Sequence, residues 1–409
     1  MGHRTPLVCA VIVALLLAIV LFAATRVAAS VDPVTVCINH PAVVLSCAPI
    51  TSVDQRDRVV ARMFRQARRR LVLFTSFTDV AAARRFGELA EHLRPGVDCA
   101  AYYDLRPMDP DRHTVTELMV DVGSAMRTRP LLRRAVYMGR FPFIHTASTH
   151  YKVTMADDVT LLCGSGNWLR ECFYEHDHPR ATCEVAAQQF LAPSFLEFDV
   201  VLQLSQPVPQ ICDYLELIAQ QRPWSPRSVH VMFADGCEFH VFPAGVPSRD
   251  GFMSNLVAQA QHSVTVMALS VWPTGTFRTS LADAVDRGCR VTLIGSAHQC
   301  SKSQQLLSRL NRCAAFHARW AYREWSPIDG LVHAKFMLID RAVVLPSFNF
   351  SYKSVAGAVD DETSLVLRGA AAAAPYTAIT RMIRHRTVPV DPPRDSTGDA
   401  LLSLLSPLM

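Results

Sequence analysis

A chain of 409 residues that is 50% hydrophobic and 19% charged can bury sizeable cores and is long enough for two or three domains, which excludes a disordered or low-complexity protein. The formal charge of +5 is mildly basic. It suits an anionic partner but does not separate a nucleic acid from a lipid headgroup.

The first element is an apolar run from Leu7 to Ala24, preceded by His3 and Arg4. Its length is at the margin of membrane spanning and longer than the usual apolar region of a signal peptide. Residues 1–30 are therefore expected to be a signal anchor with its basic flank in the cytoplasm and the large domain luminal or extracellular, a single-pass type II arrangement. Val27-Ala28-Ala29 before Ser30 also resembles a cleavage site, so removal of the segment stays open. Twelve cysteines exceed what a cytosolic enzyme of this size needs, and some disulfides are expected. Cys37, Cys47, Cys172 and Cys183 are the candidates for stapling the N-terminal arm to the first lobe.

Beyond the anchor, Arg58 to Arg70 reads as an amphipathic helix running into an apolar strand, Leu71 to Ser76, with Val97 to Tyr103 as the next strand. The same order returns later, with a helix over Gly251 to His262 and strands over Val264 to Ser270 and Val291 to Gly295. Strands alternating with helices, used twice, predict an α/β chain of two similar lobes. Each lobe would be a mixed β-sheet flanked by helices, the pair related by a pseudo-two-fold axis. The lobes are assigned to residues 31–205 and 229–390. Residues 206–228, rich in proline, form the linker, and 391–409 form a C-terminal tail.

Each lobe carries one copy of a spaced pattern. In the first, HYKVTMAD supplies His150, Lys152 and Asp157, followed by Gly164, Ser165 and Asn167. In the second, HAKFMLID supplies His333, Lys335 and Asp340, followed by Ser347 and Asn349. Residues two apart on a strand share a face, so each half presents an imidazole beside an ammonium. An imidazole serves as nucleophile or general acid-base near neutral pH, and a lysine ammonium suits a phosphate oxygen. The serines and asparagines add neutral donors for the same anion. A lone His on an apolar strand is usually a packed core residue. The duplication argues instead for a cradle in which one His attacks phosphorus, the other protonates the leaving oxygen, and no metal or other cofactor is required. His176 and His178 lack further ligands nearby and read as a polar loop.

These residues resemble the phospholipase D superfamily, whose members carry two HxKxxxxD motifs, often followed by GSxN, over nearly the whole chain after the N-terminal segment. The resemblance implies a phosphodiesterase working through a phosphohistidine, with His150 the nucleophile and His333 the acid. Lys152, Lys335, Ser165, Asn167, Ser347 and Asn349 would bind phosphate. Asp157 and Asp340, grouped with the catalytic set, would be structural or orienting, and Glu184 and Glu362 are candidate carboxylates for orienting a histidine. The second turn departs from the pattern, with Pro346 in place of the usual glycine. The chain is most similar to membrane-anchored endolysosomal enzymes that degrade single-stranded nucleic acid from the 5′ end. The alternatives are a lipid-acting enzyme, or a poxvirus-type envelope or nicking-joining protein of the same fold with little or no turnover. The implied partners are a phosphodiester substrate, a membrane and, as one option, a second copy of the chain. Phe143, Tyr151, Trp168, Trp272 and Phe350 lie near the motifs as candidates for base stacking, with core packing the default.

Overall fold

The computed structural model of the chain describes residues 35–105, 117–118, 126–130, 134–137, 144–147, 149–168, 195–220, 227–246, 248–269, 271, 273, 275–295, 320–325, 331–351, 354–355 and 359–390. The expected anchor, Glu184, His176, His178, Cys172, Cys183, Phe143 and Trp272 lie outside them. Among the described residues no helix is long and apolar enough to cross a membrane.

In chain order, the first half comprises β1 (Val36–His40), β2 (Val44–Ile50), α1 (Val53–Gln66), β3 (Arg70–Thr78), α2 (Val80–Ala90), β4 (Asp98–Leu105), β5 (Arg127–Pro130), β6 (Arg134–Tyr137), β7 (Ile144–Ala147), β8 (Lys152–Ala156), β9 (Thr160–Gly164), β10 (Phe195–Leu196) and β11 (Asp199–Leu204). Next come α3 (Pro209–Ala219), β12 (Val229–Phe233), β13 (Glu238–Phe242), α4 (Ser248–Ala258), β14 (Ser263–Met267), α5 (Gly275–Asp286) and β15 (Arg290–Gly295). The chain continues with β16 (Trp320–Trp325), β17 (Leu331–Val332), β18 (Phe336–Ile339), β19 (Ala342–Pro346), β20 (Glu362–Leu367), α6 (Gly369–Arg386) and β21 (Thr387–Val390).

A seven-stranded sheet runs β2-β11-β9-β8-β3-β4-β5, and a ten-stranded sheet runs β1-β12-β13-β20-β19-β18-β14-β15-β16-β21. The inner order β11-β9-β8-β3-β4-β5 of the first sheet recurs as β20-β19-β18-β14-β15-β16 in the second, which is the expected repeat. Both sheets are mixed: β3 is parallel to β4 but antiparallel to β8, and β14 is parallel to β15 but antiparallel to β18. Strands such as β8 are buried at every residue, as continuous apolar runs covered on both faces require.

Three cores stack the layers. Val60, Phe64 and Phe86 of α1 and α2 cover one face of the first sheet, and Met253, Val257 and Phe277 of α4 and α5 cover the outer face of the second. Between the sheets, Phe74 and Val153 meet Phe336 and Leu338 around α3 and α6. α3 lies inside the stretch expected to be a linker. Its Pro209 opens the helix, where a missing N–H costs nothing, and Ile211, Leu215 and Ile218 are buried in the central core, each contributing roughly 1.5–3 kcal/mol. Arg70 is partly buried and pairs with Asp213 at 2.7 Å and Glu216 at 2.6 Å on that helix.

The lobes also exchange strands. β1 falls within the stretch assigned to the first lobe, yet it pairs in parallel with β12 of the second sheet, while β2 pairs with β11 of the first. The N-terminal arm thus crosses between sheets within three residues. This separates Cys37 on β1 from Cys47 on β2, and both are free thiols, as are the other described cysteines. The expected stapling through Cys37 and Cys47 is not found among the described residues.

Candidate active site

The aspartates explain how the motif strands are seated. Asp157 and Asp340 close the turns after β8 and β18 with left-handed backbones, φ 51° and 52°, a conformation in which Asp is among the tolerated residues. The Asp157 carboxylate accepts from the backbone N–H groups of Arg68, Arg69 and Arg70 at 3.0, 2.7 and 3.0 Å. Asp340 accepts from Gln261, His262 and Ser263 at 2.9, 2.8 and 2.8 Å. These bonds use the donors that a longer helix would need internally. The helices accordingly end at Gln66 and Ala258, short of the expected Arg70 and His262. Both aspartates sit at the opposite end of their strand from the histidine, so they are structural ties and not part of the reacting set.

At the other end, each histidine is held by the opposite lobe. His150 Nδ1 lies 3.0 Å from both carboxylate oxygens of Glu362, and His333 Nδ1 lies 2.7 Å from Glu197 Oε1. The backbone repeats the exchange. Thr149 bridges to Asp361 and the His150 N–H donates to the Asp361 carbonyl at 2.8 Å, while β17, just before His333, pairs with β10, just before Glu197. Each glutamate is fixed within its own lobe by the motif serine: Ser165 Oγ donates to Glu197 Oε2 at 2.6 Å, and Ser347 Oγ donates to Glu362 Oε2. Those serines accept from Phe198 N and Thr363 N at 2.9 Å, so the expected phosphate-binding serines instead orient the glutamates. Nδ1–H directed at a carboxylate leaves Nε2 of each imidazole as the reactive lone pair.

The lysines complete the cradle. Lys152 Nζ donates to Ser76 Oγ and His150 O, both at 2.9 Å, and Lys335 Nζ donates to His333 O at 2.7 Å. Neither has a carboxylate within ion-pair distance among the described residues, although both are buried. Burial, with Lys335 nearby, pulls Lys152 down to about 7, and burial pulls Lys335 down to about 8 against the attraction of Glu197 and Glu362. Burial and the two lysines hold His150 well below its usual value, and burial also lowers His333 against the pull of Glu197. Burial raises Glu362, whereas His333, Lys335 and Ser165 hold Glu197 low against the same burial. The amides of buried Asn167 and partly buried Asn349 each present a buried oxygen position without a partner. A half-turn of either amide would place an N–H donor there, which fits both residues to an anionic ligand.

The turns differ for a physical reason. A Cβ at Gly164 would overlap Asp199, and one at Gly166 would overlap the Arg56 guanidinium, which pairs with Asp199 at 2.8 Å. Pro346 stands opposite Ser364, as Gly164 stands opposite Asp199. A small residue there leaves room for proline, and the Ser347 and Asn349 positions are preserved. Phe348 replaces Gly166 and has buried Arg249 over its ring at 6.0 Å. Arg249 in turn donates to the carbonyls of Ser354 and Asp360.

Glu362 lies against His150, the histidine of the other motif, and Glu197, which lies against His333, was not among the sequence candidates. Its place is hidden by unequal spacing: Ser165 to Glu197 spans 32 residues but Ser347 to Glu362 only 15. Ser76, Arg56 and Arg249 carry no sequence signal of their own. Of the candidate stacking aromatics, Tyr151, Trp168 and Phe350 are fully buried, with Trp168 stacked on Phe86, so these three belong to the core.

Residues 253–383 match the family model described as cardiolipin synthase, phospholipase D-like domain. That match lies within the second half of the chain, and the fold over most of the chain is shared with solved structures of low sequence identity. Among solved structures, the chain is similar to a phosphatidylserine synthase from Haemophilus influenzae, 13% identical, with a TM-score of 0.62 over 90% of this chain and 95% of that one. It is also similar to a polyphosphate kinase from Porphyromonas gingivalis, 10% identical, with a TM-score of 0.53 over 85% of this chain and 48% of that one. No curated protein matches it in sequence.

Proposed function

We propose that the chain is a phosphodiesterase that works through a phosphohistidine on single-stranded nucleic acid. The observation that carries the reaction is the crossed pairing, each catalytic imidazole held at Nδ1 by a glutamate of the opposite lobe. His150, the imidazole held well below its ordinary value, is the free base that attacks phosphorus. His333, which burial lowers but the ionised Glu197 pulls back up, carries the proton to the leaving oxygen, then takes one from the water that releases the phosphoryl group. Lys152 and Lys335 offset charge on the equatorial oxygens, so the chemistry asks for no metal. Asn167 and Asn349 hold the phosphate.

The substrate assignment is supported by the HxKxxxxD and GSxN spacing, which resembles the endolysosomal exonucleases. The N-terminal apolar run suits delivery of the domain to a luminal compartment. A second reading, phosphatidyl transfer or hydrolysis, is favoured by the fold match to a phosphatidylserine synthase. The test is incubation of the purified chain in EDTA, from pH 5 to pH 7.5, with 5′-hydroxyl single-stranded DNA and separately with phosphatidylcholine vesicles. Cleavage of the DNA supports the nuclease reading, and lipid turnover alone replaces it with the second. Inertness toward both, in a chain shown to be folded, overturns the proposal.

A further inference from the structure

A second cluster of ligating side chains lies away from the cradle, on the second and third strands of the ten-stranded sheet. His230 on β12 and His240 on β13 are direct cross-strand partners, and Glu238, two residues from His240, shares its face. The two imidazoles stack at 4.1 Å between centroids and bring the same nitrogen toward one oxygen. His240 Nε2 is 2.9 Å and His230 Nε2 3.1 Å from Glu238 Oε2. The three ligand atoms lie within 4.8 Å of one another, and the side chains are 8 to 15% exposed, sheltered yet open to an ion.

Two details go beyond an ordinary hydrogen-bonded cluster. His230 Nε2 is buried and, despite its distance from Glu238, makes no hydrogen bond. Its Nδ1 faces Cys37 Sγ at 3.9 Å. A proton on Nδ1 toward that sulfur leaves a lone pair on Nε2 directed beside the carboxylate. The other oxygen, Glu238 Oε1, is taken by Arg368 at 3.1 Å. That leaves Oε2 as the ligand atom and gives it the outer partner that metal-bound carboxylates commonly have.

We propose that His230, Glu238 and His240 form a zinc site with a fourth position open to solvent, a two-histidine, one-glutamate set of the kind that takes this ion at about 2.0–2.2 Å. The ion would clamp β12 to β13. β13 in turn pairs with β20, His240 facing Ser364 and Phe242 facing Glu362, so the clamp braces the strand beside the one that carries Glu362.

The full chain, stripped with EDTA and dialysed against zinc chloride, should retain one more zinc per chain than His230→Asn, His240→Asn or Glu238→Gln, read by mass spectrometry of the metal. Cobalt(II) in its place should give the intense visible bands of a four-coordinate site, lost in the same variants. Circular dichroism confirms that each variant is folded, and His230→Asn, at the more exposed position, still decides the matter if His240→Asn does not fold. Equal zinc in parent and folded variants, or no zinc retained by the parent, overturns the proposal and leaves a hydrogen-bonded His-Glu-His cluster.

Discussion

The two lobes carry the same reacting groups on differently built turns. In the first, Gly164 and Gly166 leave room for the buried Arg56–Asp199 ion pair. In the second, Pro346 and Phe348 fill that room, and Arg249 donates to the backbone carbonyls of Ser354 and Asp360. What is kept through this change is the Ser-Glu-His relay that crosses from lobe to lobe. The same meeting of glutamate and imidazole is thus reached over a scaffold of buried charge in one lobe and of apolar volume in the other.

The sharpest way to break the apparent symmetry is at the histidines. His150→Ala should lower turnover by about a thousandfold or more, since it removes the attacking group. His333→Ala should do the same with a natural leaving group but recover strongly with p-nitrophenolate, which leaves without a proton. Equal rescue of both variants by p-nitrophenyl substrate would refute the division of labour. Glu197→Gln and Glu362→Gln, which leave the imidazoles in place but loosen them, should each cost about a hundredfold in kcat with little change in KM, the loss expected of partners that position a reacting group.

How much of this was legible in the sequence follows from the same comparison. HxKxxxxD was readable because its spacing is set by one strand and one turn, where period and length are local. The duplicated pattern gave the two lobes and the mixed sheets. Glu197 was not readable, because its register with Ser165 is set by sheet pairing across 169–194, a stretch whose length has no counterpart after Ser347. β1 was misassigned for a related reason: nothing local in Val36–His40 says which of two sheets it will join. α3 was hidden by prolines that suggest a linker, although one of them opens a helix.

A smaller effect should separate the turns. Gly166→Ala places a methyl against the Arg56 guanidinium and should cost about 2 kcal/mol of stability, read as a fall in melting temperature. Phe348→Gly in the second lobe should cost about as much or more, but through a cavity beside Arg249. Buried charge is displaced in the first case and apolar volume is lost in the second. Raising ionic strength should therefore leave both costs nearly unchanged, whereas a surface ion pair would weaken.

The lysines give the smallest and most diagnostic effects. With Lys152 at about 7 and Lys335 at about 8 in the free protein, kcat/KM should fall as pH rises through that window, because the cations that attract phosphate lose their protons. A flat profile to pH 9 would mean that the lysines stay charged and the cradle is wetter than its burial implies. Stability should move the opposite way. A folded pKa near 7, against an unfolded value near 10.5, means the unfolded chain holds more protons between those limits, so the cost of burying Lys152 shrinks as pH climbs from 7 to 10. Lys152→Met removes that cost but strands Ser76 Oγ and His150 O, which lose their donor. The variant should gain about 1 kcal/mol at pH 7, less at pH 9, and lose activity at both. A gain in stability with a loss of activity is the outcome expected of a lysine whose buried charge serves the proposed phosphate site, and the variant measures that cost directly.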